Sequence, residues 1–293
     1  MDLGDREKAG WRWELSDASG ETFRANRPAP RNPRLRLQKI SAGLITTLFQ
    51  FARAAQATVW LGLLQGEDHQ NATDFYYNST TIYSSQEYNL LGLQAWERLA
   101  VERWFPANGR ILVTSMGGGR EVYGLAKLGF QVEASEPNEQ LAAHASRWLE
   151  SQGVKARISA SAYSEVPALE GMYDGVLVGW ASYLHIAGRE RRIAFLKKVR
   201  AAVKPGAPVI LSFYTREESS WEYGWVAWAA NLIRRLSLGK ATVEIGDWVE
   251  LSFEHYFTSP EIESELRAAG LRMAQFSTMD YGHAVGIAGP YAG

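Results

Sequence analysis

The chain of 293 residues contains no cysteine. Disulfides, thiolate metal sites, cysteine nucleophiles and thiol-relay chemistry are thereby excluded, and a reducing compartment is compatible with the absence. Net charge is nearly absent as well, since 31 Lys and Arg face 32 Asp and Glu for a formal charge of -1. That balance argues against a global electrostatic fit to nucleic acid, so no nucleic-acid partner is expected. One stretch has no acids at all: none stands between Glu21 and Glu67, where Arg24, Arg27, Arg31, Arg34, Arg36, Lys39 and Arg53 do. An apolar leader is also missing. The start, MDLGDREKAG, has acids and no hydrophobic core, which fits a cytoplasmic chain better than an exported one.

What is present is the composition of a globular protein, 46% hydrophobic and 22% charged. The length suits one α/β domain plus about a third as much again. Residues 1–33 form a polar arm with the run RPAPRNP, in which Trp11 and Trp13 are anchors for docking onto the same chain. Residues 34–87 follow as a helical extension or lid, and 88–293 as the α/β domain. Within 35–66 there is no proline, and Leu44, Leu48, Phe51, Ala55, Val59 and Leu63 recur three or four apart, which predicts a helix. Residues 40–64 are long enough to span a bilayer, but Gln50, Arg53 and Gln56 fall in mid-segment, and an intramembrane Arg is costly. The readings left are packing on the α/β domain, a homodimer through this helix, and contact with a membrane surface through 35–66.

The densest signal is Arg110 to Asn138, RILVTSMGGGREVYGLAKLGFQVEASEPN. Arg110 to Ser115 has the character of a buried parallel strand, and Gly117, Gly118 and Gly119 follow where the backbone must turn. Val122, Leu125, Ala126 and Leu128 have helical spacing, with Gly129 as C-cap. Phe130 to Ser135 reads as the next strand, and Glu136 lies at its carboxyl end, where a carboxylate can accept both hydroxyls of a ribose. The unit predicts a nucleotide-cofactor site.

These residues resemble the class I S-adenosylmethionine-dependent methyltransferases. Downstream, YDGVLVGWASYLH (Tyr173 to His185) is similar to that family's fourth strand, VRAAVKPGAPVILSFY to its helix, Lys-Pro-Gly turn and fifth strand, and YFTSPEIESELRAAGLRMAQF (Tyr256 to Phe276) to its last helix and following strand. The resemblance implies a Rossmann-like doubly wound α/β sheet of seven strands, mostly parallel with the last antiparallel. It implies S-adenosylmethionine as cofactor, S-adenosylhomocysteine as product, and methyl transfer to oxygen or nitrogen of a small-molecule or lipid-like acceptor. Two departures stand out. The family pattern has an acid two positions before the first glycine and a glycine opening the loop, where this chain has Val113 and Ser115; near the third strand, Ser161, Ala162 and Tyr163 replace the acid that pairs with the adenine amino group.

By that resemblance Ser115, Gly117 and Gly119 lie beside the methionyl portion of the cofactor, Glu136 and Pro137 at its ribose, and Ser161 and Ala162 near adenine. Gly179 and Trp180 follow the fourth strand. Arg120 reaches the cofactor carboxylate or is an exposed first-turn residue. Tyr76, Tyr77, Tyr83 and Tyr88 are lid candidates, Tyr83 and Tyr88 at the cofactor. His185 is the candidate base for an acceptor hydroxyl or amine, or else orders a loop. Residues 213–257 read as an aromatic-rich insertion with Trp221, Tyr223, Trp225, Trp228 and Trp248, in which Glu254 and His255 point toward the acceptor. No metal is expected, because no second compact His/Asp cluster is visible. A nicotinamide-dependent oxidoreductase and a non-catalytic assembly protein on the same fold remain the alternatives.

Overall fold

The computed structural model describes residues 32–162, 164–167, 171–239 and 241–289. Tyr163 and the arm that carries Trp11 and Trp13 lie outside them. The chain divides between Gln50 and Phe51 into two units. Helix α1 (Pro33–Leu63) is proline-free after its first residue, as the spacing predicts, and residues 33–50 are exposed throughout. Among the described residues no helix is long and apolar enough to cross a membrane.

The second unit continues with α2 (Glu67–Ser79), a 3₁₀ turn (Ile82–Ser84), α3 (Gln86–Leu90) and α4 (Ala95–Trp104), then enters the α/β body. There β1 (Arg110–Thr114), α5 (Arg120–Lys127), β2 (Gln131–Glu136), α6 (Glu139–Ser151), β3 (Arg157–Ala160) and β4 (Gly175–Val178) alternate. A 3₁₀ turn (Ser182–His185), α7 (Arg189–Ala202), β5 (Pro208–Ser212), β6 (Tyr214–Thr215), α8 (Trp221–Leu236), β7 (Asp247–Val249), β8 (Phe253–Phe257), α9 (Ser259–Ala268), β9 (Leu271–Ser277) and β10 (His283–Ala288) complete it.

Seven strands form one sheet in the order β3-β2-β1-β4-β5-β10-β9, parallel except for β10, which runs antiparallel to both its neighbours. The chain therefore has the doubly wound fold that the resemblance implies. Alternation along β1 explains its two layers: Ile111 and Val113 join a core with α4, α5 and α6, while Leu112 faces the opposite core with α7 and α9. Strand order reverses between β1 and β4, and ligands bind at the carboxyl ends of strands at such a switch point.

The region after β5 is more than a loop. It builds a small sheet, β6-β8-β7, whose apolar residues share a third core with α8 and the end of α1. Arg234 of α8 donates to the backbone oxygens of Leu61 and Leu64, closing the carbonyl end of α1.

Candidate functional site

A cleft opens at the switch point. The loop after β1 turns with three positive φ values, 52° at Ser115, 56° at Gly117 and 99° at Gly119. Its glycines do different work. A Cβ on Gly117 would meet no atom within 4 Å, so its backbone faces open space that a ligand can enter. On Gly118 a Cβ would stand 1.7 Å from the Tyr83 carbonyl oxygen, so this glycine admits the lid. Gly119 instead caps α5 and lies against Leu149, off the cleft lining.

Glu136 ends β2 as expected and lines the cleft. Its Oε2 accepts from the Gly117 N–H at 2.8 Å and its Oε1 from the Asn138 N–H at 2.9 Å. A carboxylate has about four lone-pair sites, so both oxygens retain capacity for ligand hydroxyls. Burial pushes the Glu136 carboxyl up to about 7 even though the two backbone N–H groups pull it down. Asn138, which caps α6 through the Leu141 N–H, fixes the second of those donors.

Across from the loop, Tyr77, Tyr83 and Tyr88 form a run of aromatic rings with centroids 5.0 and 5.9 Å apart, and all three line the cleft. Tyr76 meets the edge of Tyr77 but does not line it. His185 lines the cleft on the other side, with Nδ1 2.7 Å from the Phe253 carbonyl oxygen. A carbonyl cannot donate, so Nδ1 carries a proton; when the ring is neutral, Nε2 is the acceptor, 3.3 Å from the Tyr77 hydroxyl, which can donate to it. Burial raises the Tyr77 phenol well above its ordinary range, so it stays protonated.

Arg120 lines the cleft, but it is neither exposed nor free to swing. Its guanidinium is fully buried, pairs with both oxygens of Glu97 at 2.7 Å, and donates to Glu121 at 2.8 Å and to the Gly92 carbonyl. Burial opposes its charge; Glu121 and Glu97 outweigh that and hold it protonated. Glu121 was not singled out by the sequence, yet it is buried in the cleft wall and accepts from the Trp180 N–H. Thus the loop that lacks an acid at Val113 has one in the first turn of α5.

Of the remaining expected residues, Ser115, Pro137, Ala162 and Trp180 line the cleft, whereas Ser161 and Gly179 do not. Ser161 donates its N–H to the Glu136 carbonyl, and a Cβ on Gly179 would fall 2.0 Å from the Ser115 oxygen, so both support the wall from behind. Glu254 and His255 are outside the lining: Glu254 accepts from the Tyr256 hydroxyl, and His255 is buried against Asp247 at 2.7 Å. The antiparallel pairing of β7 with β8 places Asp247 opposite His255 and brings Glu244 alongside, a compact acid and histidine cluster that the linear sequence did not reveal. Its four carboxylate oxygens each accept from an N–H, on His255, Glu244, Arg189 or Arg192, while the buried His255 Nε2 has no hydrogen-bond partner.

His69 is a further cleft residue that the sequence did not single out. It sits in the first turn of α2, buried, its ring 4.8 Å from that of Phe253 and its Nδ1 without a hydrogen-bond partner. Burial lowers its pKa, so it is a neutral imidazole. A lone His before a polar run carries no sequence signal of its own.

No family model and no curated protein matches the sequence. Solved structures do match. A SAM-dependent methyltransferase from Methanosarcina mazei superposes with a TM-score of 0.52 at 18% identity, covering 68% of this chain and 99% of its own. A protein from Pyrococcus horikoshii gives a TM-score of 0.55 at 17% identity, covering 74% of this chain and 99% of its own.

Proposed function

On this chain with the class I methyltransferase fold, we propose an S-adenosylmethionine-dependent methyltransferase that acts at oxygen or nitrogen of a small acceptor. The observation that carries the proposal is Glu136, a buried carboxylate at the carboxyl end of β2, held by the N–H of a glycine loop whose Gly117 faces open space. That donor and acceptor set fits the cofactor: Glu136 for the ribose hydroxyls, the Gly117 backbone for the methionyl portion, and the Ala162 region for adenine. When bound, S-adenosylmethionine supplies an electrophilic methyl group on a sulfonium.

The chain's own residues supply the rest. Tyr77, Tyr83 and Tyr88 cover the cleft and exclude water from the site. With Nδ1–H fixed on the Phe253 carbonyl, an acceptor hydroxyl or amine that displaces the Tyr77 hydroxyl from His185 Nε2 can give its proton to that nitrogen. The resulting imidazolium is stabilised by the same carbonyl. Alignment of acceptor and methyl group is the larger contribution, since held reactants gain roughly 7–11 kcal/mol from prepaid entropy in the best cases.

Calorimetric titration with S-adenosylhomocysteine, with NAD as control, tests the proposal. Micromolar binding of the first alone is expected. Binding of NAD instead would transfer the site to hydride chemistry, and binding of neither would favour an assembly role on the same fold.

A further inference from the structure

Helix α8 is apolar on both faces. Tyr223, Val226, Ala227 and Ala230 are buried in the third core. On the opposite side Trp221, Trp225, Trp228, Leu232 and Leu236 recur three or four apart and are exposed, Trp221 and Leu236 by 79% each and Trp228 by 67%. A surface helix of a water-soluble domain carries polar residues there. The end of α1 lies beside α8, with Phe51 6.2 Å from Trp225 and the Leu61 carbonyl on Arg234, and it extends the same character with exposed Val59, Trp60 and Leu63. Contiguous apolar surface on this scale marks an interaction site.

We propose that this two-helix face docks on an anionic lipid bilayer. Three tryptophans along one helical stripe suit the headgroup level, where an amphipathic ring is favoured over both water and hydrocarbon. Charge points the same way. Taken by itself, the stretch of α1 up to Gln50 carries Arg34, Arg36 and Lys39 and no acid, charges that an anionic surface neutralises and a second copy of the chain does not, while Arg53 further on is paired with Glu250. Glu222, the acid on α8, is in its first turn, at the opposite end from Arg234 and Arg235. A second observation is independent of the stripe. Trp228, Leu232 and the exposed Arg235 line a cavity beside Arg234, whose guanidinium is spent on the Ala241, Leu61 and Leu64 carbonyls. Arg235 is the guanidinium at the edge of this apolar face, and a lipid phosphate is an acceptor that its N–H groups would take.

The test is flotation of the full-length protein with vesicles of phosphatidylcholine alone and of phosphatidylcholine mixed with phosphatidylglycerol. Binding to the mixed vesicles, weakened by salt and accompanied by a blue shift of tryptophan emission, is expected. Trp228→Glu with Leu232→Glu should reduce binding to background, and Arg235→Gln should lower the affinity for mixed vesicles about fivefold, the effect of one surface cation. All three positions are exposed, so circular dichroism and S-adenosylhomocysteine binding should be unaltered in each variant. Absence of vesicle binding, or binding that the double variant leaves intact, overturns the proposal. If the double variant instead converts a dimer to a monomer in gel filtration without any vesicle binding, the face belongs to a second copy of the chain.

Discussion

The two ends of the cleft are built on different principles. At the glycine-loop end, backbone N–H groups and buried carboxylates are positioned by neighbouring strands and by the first turns of α5 and α6, with Glu97 of α4 joined to them through Arg120. At the other end, His69 and Tyr77 of α2 meet Phe253 of β8 and His185 of the turn after β4 respectively, three segments more than 60 residues apart. The first end is rigid because its charges are interlocked. The second rests on ring contacts and single neutral hydrogen bonds, which suits a surface that varies with the acceptor.

The strongest way to break that contrast is at Arg120. Arg120→Met keeps the volume but leaves Glu97 and Glu121 buried with no counter-charge. A loss of about 3–5 kcal/mol is expected in urea unfolding, because an uncompensated buried charge costs more than a missing pair. A loss under about 1 kcal/mol would mean that the loop end is held by packing alone.

Glu136 comes next. Glu136→Ala should weaken S-adenosylhomocysteine binding by about 1.5–3 kcal/mol, the range for hydrogen bonds to a charged group, while the protein stays folded. Its pH dependence has a definite sign. The folded pKa, about 7, is above the unfolded value of 4.5, so the folded state binds the extra proton between them. Stability of the ligand-free protein is therefore fully retained below 4.5 and falls as pH rises through about 7. Ribose hydroxyls prefer the ionised acceptor, so ligand binding should release a proton near pH 6 and strengthen toward pH 8. Titration in buffers of different ionisation enthalpy measures that release, and Glu136→Gln should abolish it.

The same contrast explains what the sequence disclosed. Strands, the glycine turn and Glu136 are legible because each is a local pattern: a β-branched run, a residue needing positive φ, a carboxylate one strand later. The seven-strand sheet was legible only through the family resemblance. His69, Glu121 and the Asp247–His255 pair were not legible, since each acquires its role from tertiary contacts that no spacing encodes. Arg120 shows the limit most clearly. A first-turn Arg after a glycine loop invites a ligand, yet Glu97, 23 positions earlier on α4, has claimed it. Residues 213–257 read as an aromatic-rich insertion, but whether a given Trp faced the core or solvent depended on the packing of β7 and β8.

Ser115 sharpens the comparison from the loop side. It holds a φ of 52° where the family pattern has glycine. Left-handed backbone costs a non-glycine residue roughly 1–2 kcal/mol, partly offset because glycine loses more freedom on folding. Ser115→Gly should raise thermal stability by up to ~1 kcal/mol and leave the Gly117 to Glu136 hydrogen bond in place. A destabilised variant would show that the serine hydroxyl does structural work the backbone does not reveal.

The smallest effect belongs to the acceptor end. Tyr77→Phe removes the donor to His185 Nε2 and preserves the ring that packs on Tyr83. A neutral hydrogen bond contributes about 0.5–1.5 kcal/mol net, and at 3.3 Å this one belongs at the low end. Single variants alone cannot assign that energy to the pair, because His185→Gln also disturbs the bond to the Phe253 carbonyl. A double-mutant cycle removes the ambiguity. Coupling of about 0.5 kcal/mol would tie the tyrosine lid to the turn after β4, so that opening one end of the cleft exposes the imidazole to an incoming acceptor. Zero coupling would make the lid and His185 independent, and proton removal would then have to be sought at His69, whose Nδ1 has no hydrogen-bond partner and whose ring packs on Phe253.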